Sequence, residues 1–134
     1  MNFSDLNLNP SLTKALEDLG FQYPTTIQHR VFPVVMSGRD VCGIAQTGTG
    51  KTAAFGLPLI NNIENHAKTP QGLVICPTRE LCLQIAKDLE SYSKHLKIAI
   101  VAVYGGTDIR KQMTDIKRGA SIIVATPGRL MDLI

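Results

Sequence analysis

The stretch that decides the fold runs Val41-Cys42-Gly43-Ile44-Ala45-Gln46-Thr47-Gly48-Thr49-Gly50-Lys51-Thr52-Ala53-Ala54-Phe55. It opens as an apolar run of strand length, turns through a glycine-rich loop and continues as a helical pattern. Gly48 and Gly50 let successive backbone N–H groups turn inward at a helix N-terminus, where aligned peptide dipoles favour an anion. Lys51 is placed to reach the β and γ phosphates of a nucleotide, and the Thr52 hydroxyl to hold Mg²⁺. The general phosphate-loop pattern begins with glycine where this chain has Ala45, so the match fails by one methyl. A turn-rich loop without a ligand is the competing reading.

Working outward, strand-like apolar runs at 41–45, 73–76, 98–104 and 121–125 each lead through small or turn-forming residues into a helical pattern. Continuous apolar strands alternating with helices predict an α/β fold, a parallel sheet buried on both faces by crossover helices. In such sheets ligands sit beyond the carboxyl ends of the strands, so the loops after Ala45, Cys76, Tyr104 and Ala125 are expected along one edge. Upstream, Asn9-Pro10 signals a helix start, Leu12, Ala15, Leu16 and Leu19 follow at helical spacing, and Gly20 closes the run. A second helix is expected from near Thr25 to Gly38, with Ile27, Val31, Val34 and Val35 on one face and an interruption at Pro33. Leu81, Ile85, Leu89, Tyr92 and Leu96 mark a long helix, and Ile109, Met113 and Ile116 another that ends at Gly119.

The bulk properties narrow the class. The 134 residues suffice for one domain, 44% hydrophobic and 19% charged residues suit a globular protein, and no apolar run approaches the ~18 residues of a membrane span. The N-terminal Met1-Asn2-Phe3-Ser4-Asp5 lacks a basic start leading into an apolar stretch, which predicts a cytoplasmic chain. Cys42, Cys76 and Cys82 have no metal-ligand spacing; Cys42 and Cys76 lie in strand-like runs and are expected as buried thiols. The net charge of +3 is modest, but Arg110, Lys111, Lys117, Arg118 and Arg129 face only Asp108 and Asp115 between Gly105 and Leu130. Five minus two is the whole chain's excess, concentrated in one region that is either a solvated helix surface or a polyanion contact.

Phosphate-loop enzymes also use an acid at the end of a neighbouring strand. None of the later strands supplies one: they run into Pro77-Thr78, Gly105-Gly106 and Thr126-Pro127-Gly128, and Asp108 reads better as a helix start. That acid is expected beyond Ile134, where the pattern predicts a helix cut in its opening turn. Gln28 is open on its own residues: Thr25 and Gln28 have the spacing of a capping box, in which the glutamine only bonds back to the helix start.

The run 45–52 resembles the phosphate loop of the DEAD-box RNA helicases, in which alanine in the first place is normal. Gly20-Phe21-Gln22-Tyr23-Pro24-Thr25-Thr26-Ile27-Gln28, with Phe3 isolated before it, resembles that family's Q motif. Pro77-Thr78-Arg79-Glu80-Leu81 is similar to motif Ia, Gly105-Gly106 to the double-glycine motif and Thr126-Pro127-Gly128-Arg129 to motif Ib. The resemblance implies a RecA-like sheet flanked by helices and incomplete at its C-terminus: a Q-motif helical region over 1–37, then part of the N-terminal RecA-like ATP-binding domain over 38–134. The Asp-Glu-Ala-Asp box, the Ser-Ala-Thr motif and the second RecA-like domain would be missing.

The resemblance also assigns roles. ATP and Mg²⁺ are implied, with Lys51 and Thr52 in catalysis, Thr52 on the metal, and Phe21, Gln28, Gln46, Thr47, Gly48, Thr49, Gly50, Lys51 and Thr52 around the nucleotide. Gln28 then reads adenine, since an amide can donate to N7 and accept from the exocyclic amine; Phe21 is the ring expected to stack on the base. Pro77, Thr78, Arg79, Gly105, Gly106, Thr126 and Arg129 are the residues implied for RNA, single-stranded or duplex, held by its backbone without sequence preference. Taken alone, Thr78 and Thr126 could be helix caps and nothing more. The expected function is an RNA-dependent ATPase that separates short duplexes, the 134-residue chain being inactive by itself. An ATP-dependent RNA clamp without unwinding is the alternative. A small-molecule phosphotransferase fits less well, because it would need an acceptor site not found here.

Overall fold

A computed structural model of the chain describes residues 2–65 and 69–134; Met1, the first residue of the N-terminal stretch read above, lies outside them. The chain divides into two compact units, Met1–Asn62 with Ser91–Leu96, and Ile63–Glu90 with Lys97–Ile134.

The first unit is helical. After a 3-10 turn, Phe3–Leu6, come α1 (Pro10–Asp18), α2 (Thr26–Met36) and α3 (Lys51–Asn61). Asn9 caps α1 as its sequence predicts, its side-chain oxygen accepting from the Ser11 N–H at 2.9 Å with Pro10 at the first helical position. Beyond the last turn, the Phe21 N–H reaches the Leu16 carbonyl and that of Gly20 the Glu17 carbonyl, which satisfies two otherwise orphaned acceptors. Leu12, Ala15, Leu16, Val31, Phe32, Ala53, Leu57 and Ile60 form the buried apolar positions of the three helices. Each fully buried leucine contributes about 1.5–3 kcal/mol. Leu19, expected on the core stripe, is exposed because it follows the last helical residue and belongs to the closing turn. Pro33 does not interrupt α2, which runs on to Met36; the ring removes one N–H, and the helix resumes through the Ser37 N–H to the Pro33 carbonyl at 3.1 Å.

The expected first strand, 41–45, does not form. No segment among the described residues pairs with it, and a strand without a ladder partner leaves its backbone groups to water. Ile44 is 92% exposed, and Cys42, expected buried on the strength of that strand, is exposed as well.

The second unit holds β1 (Gly72–Ile75), α4 (Arg79–Tyr92), β2 (Ile100–Val103), α5 (Ile109–Lys117), β3 (Ile122–Ala125) and α6 (Pro127–Leu133). The sheet is parallel, in the order β1-β3-β2, with Ile75 and Val103 both in register with Ala125. All three strands therefore end at one level. Ile122, Val124, Val103 and Cys76 are buried there, under a helix stripe of Cys82, Ile85, Ala86 and Leu89. Ile85, Leu89 and Tyr92 are buried as the sequence predicts, but Cys82 takes the first position of the stripe, Leu81 is exposed, and the helix ends at Tyr92, before Leu96. Burial on both faces is not complete: Leu73 and Ile75, alternate residues on one face of β1, are 51% and 57% exposed.

Candidate functional site

The glycine-rich loop forms as a turn leading into α3. Gly50 is the residue before the helix, at φ +80°, and Gly48 has φ +84°, conformations that a Cβ would strain. The Thr49 hydroxyl donates to the Gln46 carbonyl at 2.6 Å and closes the turn from inside. Among the described residues, the backbone N–H groups of Gly48, Gly50, Lys51 and Thr52 meet no protein acceptor, while a hydrogen-bonded turn over 47–48 directs the Thr49 N–H back toward Gln46. Four donors thus stand open at the start of an eleven-residue helix, where the macrodipole adds partial positive charge. Lys51 is the first helical residue and is exposed; the half-buried Thr52 has a hydroxyl without a hydrogen-bond partner among the described residues. Gln46 and Thr47 are exposed on the same loop.

Gln28 is buried against this loop. Its Oε1 accepts from the Thr25 N–H at 2.9 Å and its Nε2 donates to the Gly50 carbonyl at 3.1 Å, while the Thr25 hydroxyl accepts from the Gln28 N–H at 3.4 Å. The capping box left open by the sequence is therefore present, and the same amide also holds the loop. A Cβ at Gly50 would meet the Gln28 amide nitrogen, so any other residue there must both adopt a strained φ and move that amide. One hydrogen on Nε2 and one lone pair on Oε1 remain. Phe21 sits between Phe3 and Tyr92, with ring centroids 6.0 Å away on either side, tilted and edge-on respectively. Phe3 is buried and Phe21 keeps one part exposed.

Of the four loops expected along one edge, the three that follow β1, β2 and β3 come together in the second unit, whereas the loop after Ala45 follows no strand. Pro77, Thr78 and Arg79 follow β1, Tyr104 to Asp108 follow β2, and Thr126 follows β3. Thr78 caps α4, its hydroxyl accepting from the Leu81 N–H at 3.2 Å. Thr126 starts α6 without a side-chain cap bond, its N–H extending the ladder to the Val103 carbonyl at 3.0 Å. The Arg79 guanidinium lies 5.0 Å over the Tyr104 ring, a cation–π contact. Gly105 has open space where a Cβ would stand and an ordinary φ, and Gly106 turns at φ +84°. Nothing inside the fold requires glycine at 105.

Asp108 is the helix start read from sequence: its carboxylate accepts from the Arg110 N–H at 2.9 Å and from the Arg110 guanidinium at 3.0 Å. The Arg110 side chain, helped by the Arg110 N–H, holds the Asp108 carboxyl below its ordinary value. Gln112, which the sequence pattern did not single out, is buried on α5 while the apolar Met113 is exposed. It donates from Nε2 to the Tyr104 carbonyl at 3.1 Å and to the Thr107 hydroxyl at 3.0 Å, and accepts from Arg129 Nη1 at 3.0 Å. A glutamine interrupting the Ile109, Met113, Ile116 stripe four residues after a helix cap was the available signal. The Arg129 side chain is 10% exposed, so it lies within this loop cluster rather than standing out from it. Cys82 is buried with its Sγ 3.2 Å from the Val124 carbonyl oxygen, and burial, with the neighbouring Cys76, pushes its thiol up to about 12.

The model of the DEAD/DEAH box helicase family matches residues 25–134. The DEAD-box ATP-dependent RNA helicase CshA of Bacillus cereus is 46% identical over 132 residues, covering 98% of this chain and 25% of that protein. The ATP-dependent RNA helicase DeaD of Escherichia coli is 47% identical over 131 residues, 97% of this chain and 21% of that protein. Among solved structures, a DEAD box protein from the hyperthermophile Methanococcus jannaschii superposes with a TM-score of 0.92 at 38% identity, over 98% of this chain and 36% of that one. The chain thus spans about a quarter or less of the curated relatives it matches. The α/β, RecA-like arrangement expected from sequence is the fold of that structure, and no described helix is long and apolar enough to cross a membrane.

Proposed function

The chain belongs to the DEAD/DEAH box helicase family, and from that premise we propose that it is the ATP-holding and RNA-gripping portion of an ATP-dependent RNA helicase. The observation that carries this reading is the set of unpartnered backbone donors at Gly48, Gly50, Lys51 and Thr52, opening at the start of α3. Such a set, on a glycine turn at a helix start, suits a polyphosphate. Lys51 meets the β and γ phosphates as a mobile point charge, and its position at the first helical residue leaves its stem free to follow them. Gln28 and Phe21 take the adenine end: the remaining hydrogen and lone pair of the Gln28 amide match the adenine edge, and the exposed part of Phe21 offers a ring.

The free Thr52 hydroxyl fits Mg²⁺. No group of three His, Cys, Asp or Glu among the described residues could hold a metal alone, so the hydroxyl would share the ion with phosphate oxygens. When bound, Mg²⁺ supplies positive charge that favours transfer of the terminal phosphoryl group.

RNA lies along the strand-end edge. Pro77, Thr78 and Arg79, Gly105 and Gly106, and Thr126 offer hydroxyls, a guanidinium and close-approach amides, which fix phosphates without reading bases. Open space at Gly105 supports this, because a glycine that the fold does not need suits close approach from outside. Arg129 serves the same edge. The division into a Q-motif region over 1–37 and a RecA-like region over 38–134, and a cytoplasmic location, belong to this reading. RNA-stimulated phosphate release by the complete protein tests it; ATP-dependent RNA retention without turnover would favour the clamp instead.

A further inference from the structure

Tyr104 and Thr107 flank Gly105-Gly106; Gln112 holds both, and Arg129 holds Thr107 and Gln112 itself. Gln112 holds the Tyr104 carbonyl and the Thr107 hydroxyl with the two hydrogens of its amide, at 3.1 and 3.0 Å. Arg129 holds the Thr107 carbonyl from Nη2 at 3.0 Å and the Gln112 Oε1 from Nη1 at 3.0 Å. The orientation of the Gln112 amide follows from its partners, since a flip would set its NH₂ group against the guanidinium donors. Arg129 Nε is buried without a hydrogen-bond partner; Asp132 Oδ2 stands 3.8 Å from it, near enough for ion pairing and too far for a hydrogen bond. The planar fork of Arg129 is thus directed into the protein, across the base of the glycine turn.

We infer that Arg129 is a positioning residue that acts through Gln112 and Thr107, setting the shape of the 104–107 turn that receives RNA, and that Gln112 is an equal member of this device. The inference rests on the RNA-binding reading of the strand-end edge. A phosphate contact would use the charge of Arg129; a brace uses its geometry. Lysine keeps the charge but cannot reach two acceptors with one rigid fork.

The experiment measures affinity for single-stranded RNA as a function of salt in the complete protein, for Arg129→Ala, Arg129→Lys, Gln112→Ala and the double variant Gln112→Ala/Arg129→Ala. Hydrogen exchange over 104–108 is followed without RNA. Each single variant is expected to bind roughly tenfold more weakly, as for loss of a hydrogen bond to a charged group, with the double variant no worse than either and exchange in the turn faster in all. The slope of log affinity against log salt stays at the wild-type value. A slope reduced by ~0.7 in Arg129→Ala, as for one lost single-strand phosphate contact, with Arg129→Lys restored and Gln112→Ala unaffected, overturns the inference. A wild-type protein that binds no RNA removes the RNA reading instead, and exchange unchanged in Gln112→Ala still rejects the brace.

Discussion

The Gln28 amide donates to the Gly50 carbonyl at 3.1 Å across 22 residues of sequence, joining the cap of α2 to the last residue of the loop before α3. The same side chain accepts from the Thr25 N–H, so loop and cap share one group. A change at Gln28 is expected to reach both the helix start and the glycine-rich loop.

Replacing Gln28 therefore acts on both. In the complete protein, Gln28→Ala is expected to lower the preference for ATP over GTP by ~1–3 kcal/mol, the value of one bidentate base contact. Gln28→Glu keeps the acceptor for Thr25 but turns a carboxylate toward the Gly50 carbonyl, so ATP affinity falls while the cap survives. Affinities of both nucleotides for wild type and the two variants check this; unchanged discrimination in Gln28→Ala would remove Gln28 from base recognition.

At Gly105 a Cβ meets open space and φ is ordinary, so Gly105→Ala is expected to leave thermal stability unchanged within about 0.5 kcal/mol. RNA affinity should nonetheless drop, because the methyl occupies the surface on which a phosphate approaches. Paired melting and RNA-binding curves decide the matter: equal RNA binding would mean that this backbone is not approached closely.

Much of this architecture was legible because local chemistry and tertiary position agree. Asn9-Pro10 starts α1, Asp108 starts α5, and the apolar runs over 73–76, 98–104 and 121–125 contain β1, β2 and β3. The strand at 41–45 was not legible, because a strand is a property of a pair and no described segment pairs with 41–45. Gln112 escaped because periodicity searches for apolar residues, whereas its position is decided by the Tyr104 carbonyl, the Thr107 hydroxyl and the Arg129 guanidinium. Leu81 and Cys82 differ by one position, about 100° around a helix, and the small thiol rather than the leucine opens a stripe whose Ile85 and Leu89 are buried as expected.

The three thiols are expected to differ in reactivity in the 134-residue chain. Cys42 is exposed, whereas Cys76 and Cys82 are buried and the Cys82 thiol is pushed up to about 12, which leaves almost no thiolate at pH 8. Maleimide labelling followed by peptide mapping should give one modified cysteine under native conditions and three in denaturant. Rapid native modification of Cys82 would contradict its packing against β2 and β3.

The central claim is that the loop from Gln46 to Thr52 holds ATP for hydrolysis, and its most direct test is RNA-stimulated phosphate release by the complete protein with and without Lys51→Ala. Lys51 is exposed and bonds to no other side chain among the described residues, so its removal leaves the fold intact and takes away the loop's cation for the β and γ phosphates. The account predicts turnover that rises with RNA in wild type and falls to background in Lys51→Ala, with matching circular dichroism. RNA-stimulated hydrolysis retained in Lys51→Ala would contradict it.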